Sequence, residues 1–240
     1  MKKTVQYAVI AAAAAFSAAH AETPNEARIK ALITPRLGIN IKVDSVTRTP
    51  YGLYEISTNG DIFYTDESAR YLFVGKVVDT ANNYQDLTRA RVDQLAAIRF
   101  QDLPLEAAIR TVKGDGKRVM AVFEDPNCPY CRKLHQTLEH IDNVTIYTFL
   151  LPIISDDSAA KSRDIWCAAN RSEAWHEWIV NAKAAPAAPA ACPAPNEQIL
   201  ALGKKLHVSG TPTVYFADGS RTGSAFELQA LETRLTATLK

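Results

Sequence analysis

The stretch from Arg118 to Ile141, RVMAVFEDPNCPYCRKLHQTLEHI, constrains this chain more than any other. Val119 to Phe123 is too continuously apolar for a half-exposed strand and reads as a strand buried on both faces. From Arg132 to Ile141 the pattern changes, and Leu134, Leu138 and Ile141 recur at the spacing of a helix with one apolar side. Cys128 and Cys131 stand at the changeover, with Pro129 and Tyr130 between them. A buried strand running straight into an amphipathic helix implies layered α/β packing. Two thiols at that junction need a chemical reason.

If the helix begins at or next to Cys128, its sulfur faces unsatisfied backbone N–H groups and the positive end of the helix dipole. Both favour a thiolate, the form that attacks a disulfide, so Cys128 is the candidate nucleophile. Cys131, nearly one turn further on, is the candidate resolving thiol. Pro129 lacks an N–H that the first helical turn does not use, and it stiffens the loop. The competing reading is half of a zinc site. It needs two more ligands at suitable spacing, and Cys167 and Cys192 form no second C-x-x-C and have no H-x-x-x-H beside them. His135 and His140 on the following helix read as surface or partly packed. Glu124 and Asp125 are candidates for proton transfer if buried, and otherwise solvated carboxylates at a strand end. No metal and no cofactor is called for.

The chain is 240 residues long and opens with Met1-Lys2-Lys3, an apolar run from Val5 to Phe16, and small residues ending Ala19-His20-Ala21. That order reads as a cleavable export signal over residues 1–21. No later apolar run reaches the ~20 residues of a membrane-spanning helix. The formal net charge is +1, or −1 without Lys2 and Lys3, which gives no indication of a nucleic-acid partner. All four cysteines lie in the second half, and an even number in an exported chain suggests disulfides.

Short runs of alternating polarity from Ile39 to Val78, INIKVDSV, YGLYEIST, DIFYTD and YLFVGKVV, read as half-buried strands, with Asn59-Gly60 as a hairpin turn. With a helix near Pro24–Leu37 they make residues 22–83 a small α+β domain, whose open sheet edge suits completion by a second copy. DLTRARVDQLAAIRF is an amphipathic helix before Pro104, either packed on a domain or serving as a linker over 84–104. From residue 105 to 240 the order is LEAAIRTV as a strand, RVMAVFED as a strand, a helix, VTIYTFLLP as a strand, and a helical stretch over Ser158–Ala182. A proline-broken loop around Cys192, a short helix near Glu197–His207, TPTVYFADGS as strand and turn, and a last strand and helix complete it. The class is α/β, α+β for the chain as a whole, with the first two central strands parallel.

VFEDPNCPYCRKLH, IWCAANRSEAW, the proline-rich Cys192 loop and LGKKLHVSGTPTVYFADG resemble, in order and spacing, the bacterial periplasmic disulfide isomerases of the DsbC/DsbG type. The resemblance implies a C-terminal thioredoxin-like fold with a helical insertion, an N-terminal cystatin-like dimerisation domain, a linker helix and a homodimer. It implies a cis bond at Thr211-Pro212 facing the cysteine pair, where the Thr211 backbone, with Pro212, Pro129 and Tyr130, borders bound substrate. It also implies a structural disulfide between Cys167 and Cys192, two buried free thiols being the alternative. The implied partners are misfolded disulfide-containing periplasmic proteins and an inner-membrane reductase, DsbD. The isomerase branch usually carries C-G-Y-C, whereas Pro129 makes this motif C-P-Y-C, which changes the expected redox poise. The expected activity is disulfide isomerisation and reduction in the periplasm. The alternatives are reduction of sulfenylated single cysteines, as in the DsbG branch, and a binding role as a dimeric chaperone.

Overall fold

The computed structural model describes residues 23–38, 41–58, 60–222 and 226–238. The export signal and Asn59 of the hairpin turn lie outside them. The chain forms two compact units, one of the described residues up to Thr58 with Phe63–Val74, the other from Gly75 onward together with residues 60–62.

In the first unit, α1 (Pro24–Ile33) is opened by a capping box: the Thr23 hydroxyl accepts from the Glu26 N–H, and Glu26 accepts in return from the Thr23 N–H. Glu26 is buried and also accepts from the Arg48 N–H at 2.9 Å, which ties helix to sheet. Strands β1 (Val43–Arg48), β2 (Tyr54–Thr58), β3 (Asp61–Thr65) and β4 (Leu72–Phe73) form a sheet in sequence order. Ile29 and Ile33 of the helix pack on Val46, Tyr54 and Ile56. Gly60 takes φ +96°, as a tight turn between β2 and β3 requires. The YLFVGKVV run is not one strand. Gly75 at φ +151° interrupts it, and Val78–Asp79 (β5) pairs instead with Gln85–Asp86 (β6) in a separate ribbon.

Helix α2 (Leu87–Leu95) follows β6, capped by the Asp86 carboxylate, and is shorter than the amphipathic pattern suggested. In LEAAIRTV only Ile109–Lys113 (β7) is a strand, because Leu105–Ala107 is a turn of 3-10 helix. The central strands are β8 (Arg118–Glu124) and β9 (Val144–Leu150), joined by α3 (Pro129–Leu138) and parallel, with Val122 opposite Thr148. With β10 (Thr213–Phe216) and β11 (Arg221–Thr222) they make a sheet in the order β11-β10-β8-β9-β7. Alternate residues of β8 face opposite cores. Met120 and Val122 meet Leu134 and Leu138 of α3 and Leu231 of α7 (Leu228–Ala237) on one side. Ala121 and Phe123 meet Phe149 and Ile199 of α6 (Asn196–Lys205) on the other. Phe123 and Phe149 stack with ring centroids 4.8 Å apart, and burying one such ring contributes about 1.5–3 kcal/mol.

The helical stretch over Ser158–Ala182 consists of two helices, α4 (Ser158–Trp166) and α5 (Arg171–Ile179), separated between Cys167 and Asn170, whose side chain caps α5. This insertion packs against the end of the sheet where β8 gives way to α3. Ile165, Trp166, Trp175 and Ile179 share one apolar cluster with Cys128 and Cys131.

Candidate active site

Cys128 is the N-cap residue of α3, with an extended backbone (φ −79°, ψ 116°), so the helix starts three residues before the apolar periodicity becomes visible. Its sulfur accepts from the Cys131 N–H at 3.4 Å. The Thr211 carbonyl lies 3.2 Å away, where a Cys128 thiol donates to it. Pro129 occupies the first helical position. The Thr211-Pro212 bond is cis, and Thr213 then enters β10 opposite Phe123 of β8, which brings the two loops together.

The two thiols are displaced in opposite directions. Cys128 is brought down to about 6, chiefly by the Cys131 thiol donating to it. Burial opposes this, and the Thr211 hydroxyl and the N–H groups of Cys131 and Tyr130 reinforce it. Cys131 is pushed far up, first by burial, then by its donation to Cys128 and by the charges of Glu124 and Cys128. Cys128 keeps 3 % of its surface exposed while Cys131 keeps none. Tyr130, beside them, is 62 % exposed, with Lys133 Nζ 5.6 Å from its ring centroid.

Glu124 and Asp125 are not solvated; both are fully buried. One oxygen of Glu124 lies 3.1 Å from His135 Nε2 and accepts from Thr148 Oγ1 at 3.3 Å, while the other has no partner. Trp175 Nε1 reaches the same histidine nitrogen at 3.2 Å. His135 is therefore a core residue, whereas His140 is exposed. Asp125 accepts from the Asn127 N–H, the Ser158 hydroxyl and the N–H groups of Ile153 and Ile154. A carboxylate is stable in the interior only when so partnered, and the partners of Asp125 come largely from a loop and helix remote in sequence, which local pattern does not reveal. The same holds for Trp175, which marks the site only once α5 is folded over it.

Cys167 and Cys192 are joined in a disulfide that ties the end of α4 to the proline-rich loop. Arg163 donates to the carbonyls of Pro189 and Ala190 in that loop, and Asp164 accepts from the Ala188 N–H. Among the described residues no group of three or more His, Cys, Asp or Glu is placed to hold a metal ion, and no helix is long and apolar enough to cross a membrane.

A strand–helix junction carrying one activated and one suppressed thiol beside a cis-proline loop defines a thioredoxin-like thiol–disulfide exchange enzyme. Family models agree: residues 105–237 match a thioredoxin-like domain, and residues 17–89 match the N-terminal domain of disulfide bond isomerase proteins. A probable thiol:disulfide interchange protein DsbC of Bordetella parapertussis is 49 % identical over 193 residues, covering 80 % of this chain and 68 % of that one. The thiol:disulfide interchange protein DsbC of Escherichia coli is 25 % identical over 76 % of each chain. A crystal structure of a disulfide interchange protein from Neisseria gonorrhoeae aligns with TM-score 0.54 and 33 % identity, covering 57 % of this chain and 99 % of that one. The chain belongs to the DsbC family of thiol:disulfide interchange proteins.

Proposed function

We propose that the chain is a periplasmic disulfide isomerase and reductase for misoxidised secreted proteins, with Cys128 as nucleophile and Cys131 as resolving thiol. The opposite displacement of the two thiols carries this reading, since near neutral pH only Cys128 is a ready thiolate. Cys128 attacks one sulfur of a substrate disulfide, and the other sulfur leaves as a thiolate that takes a proton. A second substrate thiolate then attacks the substrate sulfur of the mixed disulfide. A new substrate disulfide forms and the Cys128 thiolate returns, with no net oxidation. When no such thiol is in reach, Cys131 attacks the Cys128 sulfur, and its proton goes to the substrate thiolate that leaves. The substrate is then released with two thiols and the enzyme is left with a Cys128–Cys131 disulfide. Two electrons from a dithiol donor restore it; family resemblance points to DsbD. The free Thr211 edge beside Cys128 suits an extended substrate segment bordered by Pro212, Pro129 and Tyr130.

The export signal and the family support a periplasmic location. An N-terminal domain over residues 22–83 acts as a dimerisation domain and 84–104 as its link to the catalytic domain at 105–240. Support for self-association comes from edge strand β4, where Tyr71, Leu72, Phe73 and Val74 are exposed in succession. Replacing Cys128 with Ser is expected to abolish reactivation of a scrambled, disulfide-rich protein. Normal reactivation by that variant refutes the assignment.

A further inference from the structure

Asp125, Pro126 and Asn127 lead from β8 into Cys128, and the helical insertion with the loop before it grips all three. Asp125 is held by Ser158 and the amides of Ile153 and Ile154. The Pro126 carbonyl accepts from Trp178 Nε1 at 2.6 Å. Asn127 Nδ2 is within reach of Ser155 Oγ at 2.7 Å, Asp157 Oδ1 at 2.8 Å and Ser158 Oγ at 3.0 Å, and Asn127 Oδ1 accepts from Lys161 Nζ at 2.7 Å. Lys161 is itself fixed by Asp157 Oδ2 at 2.7 Å and by the Trp178 ring, whose centroid is 4.7 Å from Nζ. One cation thus joins the residue before the nucleophile to both helices of the insertion.

We propose that Asn127, locked by Lys161, is a positioning residue for Cys128, so that the insertion sets the reactivity of the nucleophile. This rests on the reading of Cys128 above. Cys128 is an N-cap in extended conformation, so the peptide it shares with Asn127 fixes where its sulfur points relative to the amides of α3. Hydrogen bonds weaken steeply with misalignment. A loop let go at Asn127 therefore turns the sulfur away from the Cys131 N–H at 3.4 Å and gives up part of what holds the thiolate. A role confined to packing has the opposite signature, because loosening the insertion uncovers a thiol that is now 3 % exposed and makes it easier to reach.

The direction of change is thus the test. The reduced full chain and its Asn127→Ala, Lys161→Met and Lys161→Arg variants are alkylated with iodoacetamide from acidic to mildly alkaline pH, and their melting temperatures are followed in parallel. Below pH about 6, Asn127→Ala and Lys161→Met are expected to react about threefold more slowly, the effect of a titration moved up by half a unit. Lys161→Arg, which keeps the cation and its donors, is expected to recover the parent rate. Unchanged or faster alkylation in either of the first two variants overturns the proposal, whatever the melting temperature does. A parent chain whose thiols react no faster than free cysteine overturns the assignment of Cys128, and this inference with it.

Discussion

Glu124 and His135 meet at 3.1 Å beneath the helix that carries Cys131, with Glu124 wholly buried. Cys131 and His135, four residues apart, lie on one face of α3, so the Glu124 charge is felt at Cys131, where it opposes a second negative charge. Replacing Glu124 with Gln removes that repulsion and keeps the shape. The Cys131 titration is expected to come down, so that at alkaline pH Cys131 resolves a mixed disulfide at Cys128 about threefold faster or more. Single-turnover release of a substrate thiol from that mixed disulfide reads the step, and a rate at or below the parent's contradicts the account.

The Cys128 titration makes reduced-state stability depend on pH with a definite sign. Its folded value, about 6, lies below the ordinary 9.0, so the folded chain gives up this proton before the unfolded one does. The stabilisation is complete above pH 9, fades as pH falls, and is lost below about 6. Against a Cys128→Ala variant, the reduced protein should gain stability steadily as pH rises across that interval. Urea unfolding at a series of pH values measures it, and a flat difference rules it out.

The Thr211 hydroxyl helps to draw the Cys128 titration down. A hydrogen bond to a charged group contributes about 1.5–3 kcal/mol. Thr211→Val keeps the shape and removes the donor, so the Cys128 titration is expected to move up by about one unit. Thiolate absorbance in the ultraviolet follows this directly; an unmoved titration shows that backbone amides suffice.

The Cys167–Cys192 bridge closes a loop of 25 residues. Loop entropy predicts a loss of about 3 kcal/mol when both are changed to Ala. The damage should be greatest in the insertion, where Arg163 and Asp164 and the packing of Ala185 and Ala194 still hold the proline-rich loop. Hydrogen exchange at α4 and α5 should rise more than at β8 and β9; a uniform rise across the sheet contradicts this.

The parallel β8–β9 pair and the Cys128 N-cap were legible because strand burial, helix period and a thiol motif coincide within two dozen residues. What stayed hidden depends on contacts distant in sequence. Glu124 and Asp125 look like exposed strand-end acids until Thr148, His135, Ser158 and the Ile153–Ile154 amides are brought to them. The division of the helical insertion into two helices is not visible in the sequence, because the break at Cys167–Asn170 contains neither Gly nor Pro and only the Asn170 cap marks the restart. YLFVGKVV has the apolar content of a strand, but Gly75 takes a backbone conformation that ends the pairing there.

That same segment leads to the last prediction. Leu72 and Phe73 end the four-stranded sheet as its edge, and with Tyr71 and Val74 they expose four large apolar side chains in a row, Val74 at 74 %. An edge this apolar, free of charge and proline, favours pairing over solvation. Two copies meeting there bury the Phe73 ring, which contributes about 1.5–3 kcal/mol. Phe73→Asp is therefore expected to weaken self-association by about tenfold to a hundredfold. The Cys128 alkylation rate should stay at the parent value, since the catalytic unit keeps its own core. Sedimentation equilibrium over a range of concentrations separates the outcomes: a variant that remains as dimeric as its parent places the self-association surface elsewhere.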